Sequence, residues 1–235
     1  MTAPLLVADC VGKRFGDRKV LASASLRAVP GEIRVLAGRN GIGKSTLMKI
    51  AAGLTGADTG AVHFDGSVHL RPSFPRLARA GLFYLPDHDL LSAGFTLGEQ
   101  LVMFERRYGR RSGIEAARMA RVEEHLGKRR GQLSGGELRR AELALALTRR
   151  PRVLLADEPF RGIAPLDQAF IAELFRQMTQ EGCAVVLTGH EVQALLDCAD
   201  HVTWCTAGTT YELGDRRAAI ANERFRLDYL GGRYE

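Results

Sequence analysis

The sequence predicts an α/β fold, and three observations carry that prediction. Short apolar runs suited to buried strands alternate with longer segments of helical period. One glycine-rich loop, Gly38-Arg39-Asn40-Gly41-Ile42-Gly43-Lys44-Ser45-Thr46, lies between an apolar run and a helix start. Polar residues gather just past the ends of the apolar runs, where open α/β sheets present their chemistry.

Taken in order, Leu5 to Val11 alternates loosely and stops at Gly12, the pattern of a strand. Lys13 to Asp17 reads as a turn, and a second apolar stretch covers Leu21 to Val29. Pro30-Gly31-Glu32 is a turn signal before the strand Ile33 to Ala37. Strands this closely spaced predict an N-terminal antiparallel piece leading into the strand before the loop. The loop opens onto Leu47-Met48-Lys49-Ile50-Ala51-Ala52, a helix. Ala61 to Gly66 reads as a short strand, and Gly81 to Leu85, bounded by Pro86, as a buried one.

From Leu97 to Leu126 the period becomes helical: Leu97, Leu101, Phe104 and Tyr108 recur on one face, as do Met119, Val122 and Leu126. Arg106 to Gly113 between them reads as an exposed connection, and the block as an inserted helical subdomain. Leu133-Ser134-Gly135-Gly136-Glu137 precedes a helix that turns apolar all round, hence buried, and ends at Arg149-Arg150-Pro151. Val153 to Ala156 is an unbroken apolar strand of the parallel-sheet kind, running into Asp157-Glu158-Pro159. A helix bearing Phe170, Leu174, Phe175 and Met178 follows, then strands at Ala184 to Leu187 and Val202 to Cys205, then an amphipathic helical tail.

Composition sets the class. Hydrophobic content of 46% and charged content of 26% are those of a soluble globular domain. No segment approaches the ~18 apolar residues of a membrane span, and Met1-Thr2-Ala3-Pro4 does not begin a signal peptide. The four cysteines form no C-x-x-C pair and are expected to be reduced, in a cytosolic protein. A net charge of +6 admits a nucleic-acid patch, solvated helix faces or a surface facing anionic lipid. Without aromatic residues among the arginine clusters, nucleic acid is not expected.

The chemistry centres on the loop. Glycines let backbone N–H groups turn inward around a phosphate, and the following helix adds unpaired N–H groups and its positive dipole end. Lys44 would meet the β- and γ-phosphates, and Ser45 would offer a hydroxyl to Mg²⁺. Asp157, after four apolar residues, suits a direct or indirect Mg²⁺ carboxylate. Glu158 could orient or deprotonate an attacking water, and His190 is a candidate γ-phosphate contact. Asp87 is one of three polar residues after the strand ending at Leu85. Phe15 could stack on a purine, although spacing alone favours packing. Ser134, Gly135 and Gly136 form a second anion site at a helix N-terminus. One triphosphate cannot easily use both sites of one chain, which points to a partner completing the site.

The order of these motifs (phosphate loop, helical insertion, LSGGE, apolar strand with Asp157-Glu158, then His190) resembles the ATPase subunit of an ATP-binding cassette (ABC) transporter, over almost the whole chain. The resemblance implies a single domain, 1–235. Its P-loop NTPase core would comprise 1–86, with the antiparallel β subdomain, and 150–235. Residues 87–149 would carry the Q-loop, helical subdomain and signature helix. It further implies ATP and Mg²⁺ and a head-to-tail dimer, homo- or heterodimeric. Each ATP would lie between one subunit's Gly38, Asn40, Gly41, Gly43, Lys44, Ser45 and Thr46 and the other's Ser134, Gly135 and Gly136. Phe15 would stack on adenine, Glu158 act as base and His190 sense the γ-phosphate. A transmembrane permease would be the partner, with the chain peripheral on the inner face of the cell membrane.

Pro159 to Pro165 and Tyr229-Leu230-Gly231 are similar to the subgroup serving branched-chain amino acid import and lipopolysaccharide export. Two positions depart from the family. Asp87 stands where a glutamine usually supplies a neutral metal ligand, and Ala164 where an aspartate reaches across the dimer. Both bear on coupling and rate, leaving a soluble assembly ATPase and a hydrolysis-impaired regulatory cassette as rival readings.

Overall fold

The computed structural model describes residues 2–231; Met1 and residues 232–235, part of the predicted single domain, lie outside that range. Ten strands among the described residues form one sheet. In chain order they are β1 (Leu6–Phe15), β2 (Arg18–Ala28), β3 (Ile33–Ala37), β4 (Thr59–Phe64), β5 (Ser67–His69), β6 (Leu82–Leu85), β7 (Val153–Ala156), β8 (Ala184–Thr188), β9 (His201–Thr206) and β10 (Thr209–Gly214). Their spatial order is β5-β4-β1-β2-β10-β9-β3-β8-β7-β6. The run from β9 through β3, β8 and β7 to β6 is parallel, while β1, β2, β4 and β5 pair antiparallel. This is the predicted α/β architecture with an N-terminal antiparallel piece.

Helices cover the parallel half: α1 (Lys44–Ala51), α2 (Phe74–Ala80), α3 (Leu97–Tyr108), α4 (Gly113–Met119), α5 (Gly135–Arg149), α6 (Pro165–Gln180), α7 (Val192–Cys198), α8 (Arg216–Ala221) and α9 (Glu223–Phe225). None is long and apolar enough to cross a membrane. Alternate side chains of β7 point to opposite faces. Leu154 and Ala156 join the core beneath α5 and α6, whereas Val153 and Leu155 join Leu47, Met48 and Ile50 of α1 on the other face. Burial on both faces explains why β3, β7 and β8 read as unbroken apolar runs.

Several elements differ from expectation. β1 continues through the predicted turn to Phe15, with register shifts along its pairing to β2, and only Gly16-Asp17 closes the hairpin. The predicted connection at Arg106 is still helix, because α3 runs to Tyr108 and the rings of Phe104 and Tyr108 pack 5.6 Å apart one turn from each other. Val122 and Leu126 do not share a helix with Met119: α4 ends there, and Arg121 takes a left-handed backbone. β5, α2, α7 and β10 were not predicted; each spans seven residues or fewer, too few for a period to declare itself.

Helix α5 ties the helical block to the core. Arg139, 5% exposed, donates to Glu142 Oε2 at 2.9 Å, to the Pro86 carbonyl at 2.8 Å and to the Asp87 carbonyl at 2.6 Å. Burial pulls the pKa of Arg139 down and pushes that of Glu142 up, each opposed by the other's charge. Arg139→Ala strands the Glu142 carboxylate. The expected result in urea unfolding is a loss of about 3–5 kcal/mol, the range for breaking one side of a buried pair.

Candidate nucleotide site

The parallel strands end in loops that share one cavity of about 620 Å³. The loop after β3 contributes Asn40, Gly41, Gly43, Lys44, Ser45 and Thr46; that after β6, Asp87; that after β7, Glu158 and Arg161; and that after β8, His190. Phe15 reaches the cavity from the hairpin of β1 and β2, beside Arg18 and Val20, with its ring half exposed. Ten of the residues singled out in the sequence therefore meet in one place.

The loop geometry follows from its residues. Gly43 adopts φ +110°, and a Cβ there would lie 2.8 Å from the Leu21 side chain, so glycine is required on both counts. Its carbonyl accepts the first turn's bond from Leu47 N–H, leaving the earlier N–H groups of α1 facing the cavity. Lys44 is buried and donates to the carbonyls of Gly38 at 2.7 Å and Arg39 at 3.1 Å. Gly38 thus serves the site from behind the loop. Burial lowers the Lys44 pKa, with Glu158, Cys205 and Asp157 pulling it back up.

Asp157 lies beneath the loop, 3% exposed. Its Oδ1 accepts from Ser45 Oγ at 3.0 Å and Thr188 Oγ1 at 2.6 Å, and its Oδ2 from Tyr84 at 3.0 Å. The sequence reading missed Tyr84 and Thr188: Tyr84 sits within an apolar strand run and Thr188 closes one, and only their hydroxyls distinguish them. Glu158 takes a left-handed backbone, φ +52°, and its Oε2 meets His190 Nδ1 at 2.6 Å. Asp87 is paired on both sides, with His88 Nδ1 at 2.5 Å and Arg161 Nη1 at 3.1 Å. Arg161 was also missed as a site residue: it lies in the subgroup stretch Pro159 to Pro165, where nothing in the sequence points it at Asp87.

Ser134, Gly135 and Gly136 are not among the residues lining this cavity. Ser134 caps α5 in a reciprocal box: its hydroxyl accepts from Glu137 N–H at 3.3 Å, and Glu137 Oε2 accepts from Ser134 N–H at 2.8 Å. His125 Nε2 lies 3.1 Å from Glu137 Oε1, and Lys128 adds positive charge 4.0 Å from Oε2. A Cβ on Gly136 would overlap the Asp167 carboxylate of α6, which would have to swing aside to admit it.

The donors suit Mg²⁺. Ser45 Oγ and Asp157 Oδ1 are hard oxygens placed together, whereas no group of three or more His, Cys, Asp or Glu among the described residues could hold a metal without help. Mg²⁺ is ordinarily held that way, by one or two protein oxygens plus phosphate oxygens and water.

A phosphate loop on a parallel sheet, flanked by an Asp-Glu pair and a histidine at neighbouring strand ends, defines a nucleoside-triphosphate-binding protein. Comparison with known proteins narrows the class. A family model described as ABC transporter matches residues 21–161, and the chain belongs to that family as an ATP-binding subunit. It is 35% identical to a "Probable ABC transporter ATP-binding protein" of Azorhizobium caulinodans, over 96% of this chain and 83% of that one. It is 31% identical to the lipopolysaccharide export system ATP-binding protein LptB of Haemophilus influenzae, over 98% and 99%. The solved ADP conformation of an ABC transporter's ATP-binding cassette shares the fold, with TM-score 0.86 at 22% identity, covering 98% of this chain and all of that one.

Burial, the negative charge of Asp157 and its hydrogen bond all raise the Tyr84 pKa far above the ordinary 10.0. A tyrosine raised on folding lends stability that is complete below its unfolded value and is lost as pH climbs from there towards the folded value. Wild type is therefore expected to lose stability above about pH 10, and Tyr84→Phe to remove that component. At neutral pH the variant should lose about 1.5–3 kcal/mol, the worth of a hydrogen bond to a charged acceptor. Urea unfolding at neutral and alkaline pH reads both.

Proposed function

We propose that this chain binds Mg·ATP in the cavity, hydrolyses it, and drives a separate membrane-spanning partner. The observation that carries the reading is the 2.6 Å pairing of Glu158 with His190 in the cavity lined by the phosphate loop. With Glu158 Oε2 engaged by His190, Oε1 is the oxygen placed to take the proton of a water attacking the γ-phosphorus. The bond from that phosphorus to the bridging oxygen breaks, leaving ADP and phosphate. Lys44 and the loop N–H groups bind the phosphates, and Phe15, half exposed at the cavity edge, offers its face to adenine. Bound Mg²⁺, held by Ser45 and Asp157 or by a water on Asp157, would supply charge neutralisation on the phosphate oxygens. Asp87, the third candidate ligand, is engaged by His88 and Arg161 and would reach the metal only on leaving them.

The signature residues Ser134, Gly135 and Gly136 act in this reading on the ATP of a second ATPase subunit, through the α5 N-terminus. A solved ATP-binding cassette of the same fold, 23% identical, is dimeric in a post-hydrolysis state with ADP and phosphate bound. Single-domain organisation over 1–235, attachment to the inner face of the cell membrane, a permease partner and no nucleic-acid partner complete the proposal. Relatives named for lipopolysaccharide export, Nod factor export and ribose import leave the cargo open among very different classes.

A regulatory cassette with slow or asymmetric turnover is the second reading, favoured by Asp87 and Ala164. Ala164 occupies the N-cap of α6 with no side chain to accept from the helix, a loss of about 1 kcal/mol relative to Asp. A soluble assembly ATPase is told apart by whether the chain fractionates with membranes.

Steady-state ATPase activity of the purified chain with Mg²⁺ tests the main reading. Glu158→Gln should lower kcat by at least about 10²-fold, the low end of a general base's contribution, with nucleotide binding retained. ATP binding with no turnover would move the assignment to the regulatory cassette, and no ATP binding would overturn it. In the same assay, Asp87→Gln/Ala164→Asp should turn over faster than wild type; equal rates would remove the case for impaired hydrolysis.

A further inference from the structure

Two partly buried carboxylates, Asp87 and Glu158, line the nucleotide cavity, and a triphosphate brings further negative charge to them. Each carboxylate has a basic partner on a neighbouring loop. Glu158 meets His190 across the ends of β7 and β8. Asp87, after β6, meets Arg161, after β7, with Arg161 Nη1 3.1 Å from Asp87 Oδ2. His88 engages the other oxygen, Asp87 Oδ1. Arg161 is anchored at its base, its N–H donating to the Glu158 carbonyl at 3.2 Å, while its side chain is 59% exposed and lines the cavity.

We propose that Arg161 is a positioning residue for nucleotide binding: it neutralises Asp87 and holds that carboxylate aside, so that the cavity accepts a polyphosphate despite an acidic group in its wall. The inference rests on the nucleotide reading above and assigns a role to a residue that the sequence analysis left without one. Like charges sharing a partly exposed site repel by enough to change affinity about tenfold. An unpaired Asp87 therefore opposes a bound γ-phosphate by an amount that shows in affinity, and a paired one does not. The arrangement also gives Arg161 a specific signature. Its contribution must vanish when Asp87 loses its charge, because Arg161 acts through Asp87 and not on the phosphate. A second consequence concerns the loops: the pair ties the segment after β6 to the segment after β7 on the cavity side. Arg139 ties the same two segments from beneath, through the carbonyls of Asp87 at 2.6 Å and Glu158 at 3.5 Å. The side-chain tie is the one a ligand can reach.

The test is a double-mutant cycle read as equilibrium binding of the imido analogue of ATP with Mg²⁺. The full chain is used as wild type, Arg161→Ala, Asp87→Asn and Asp87→Asn/Arg161→Ala, with displacement of a fluorescent ADP as the signal. Thermal unfolding of each variant confirms folding, which the exposure of Arg161 favours. Arg161→Ala is expected to raise Kd by about tenfold. The same change in the Asp87→Asn background should shift Kd by less than about twofold, and Arg161→Lys should recover most of the affinity. An equal loss in both backgrounds overturns the proposal, since Arg161 would then contact the phosphates itself. An unchanged Kd when Arg161→Ala is made in the wild-type chain overturns it as well. Wild type that binds neither nucleotide overturns the underlying nucleotide reading, an outcome distinct from both.

Discussion

Asp157 is an anion enclosed by parallel strands, and the surrounding structure is arranged to meet it. Leaving a carboxylate there without donors would cost several kcal/mol. The donors come from three elements: Tyr84 on β6, Thr188 at the end of β8 and Ser45 in the first turn of α1. Register between β6, β7 and β8 sets two of these contacts, and the seating of α1 on the sheet sets the third. A shift of one residue in either strand pair would turn a hydroxyl to the opposite face. The carboxylate thus checks the alignment of the strands whose ends carry the rest of the site.

Above that floor the charges come in pairs. Lys44, the one deeply buried lysine in the site, rests on two loop carbonyls, so its ammonium is satisfied without a carboxylate blocking the phosphate path. Glu158 and Asp87 are each held by a base from an adjacent loop. Arg139 binds the backbone of the loops after β6 and β7 from beneath, which ties α5 to the floor of the site.

Much of this was legible in the sequence, for identifiable reasons. Strands β3, β7 and β8 declare themselves because both faces are buried, so no polar residue interrupts them. The phosphate loop is legible because its glycines and Lys44 have few alternative uses in that spacing. Tyr84 and Thr188 were hidden for the converse reason: each is compatible with an ordinary strand, and only the neighbouring strand reveals what its hydroxyl faces. Arg161 was hidden because its partner is 74 residues away in sequence. The Val122 and Leu126 spacing misled because Arg121 breaks the helix with a left-handed turn that its side chain does not advertise.

The separation of the signature from the cavity is best understood as an ordering problem. If a second subunit supplies Ser134 and its glycines, every group that must be fixed at docking subtracts from the affinity of the dimer. Here the fixing is done in advance. The Ser134–Glu137 box sets the first turn of α5, and the Asp167 carboxylate packs directly against Gly136. His125 and Lys128 hold Glu137 in place. The helix start is therefore set by contacts within this chain, and in the proposed dimer docking would have only to bring a phosphate to it.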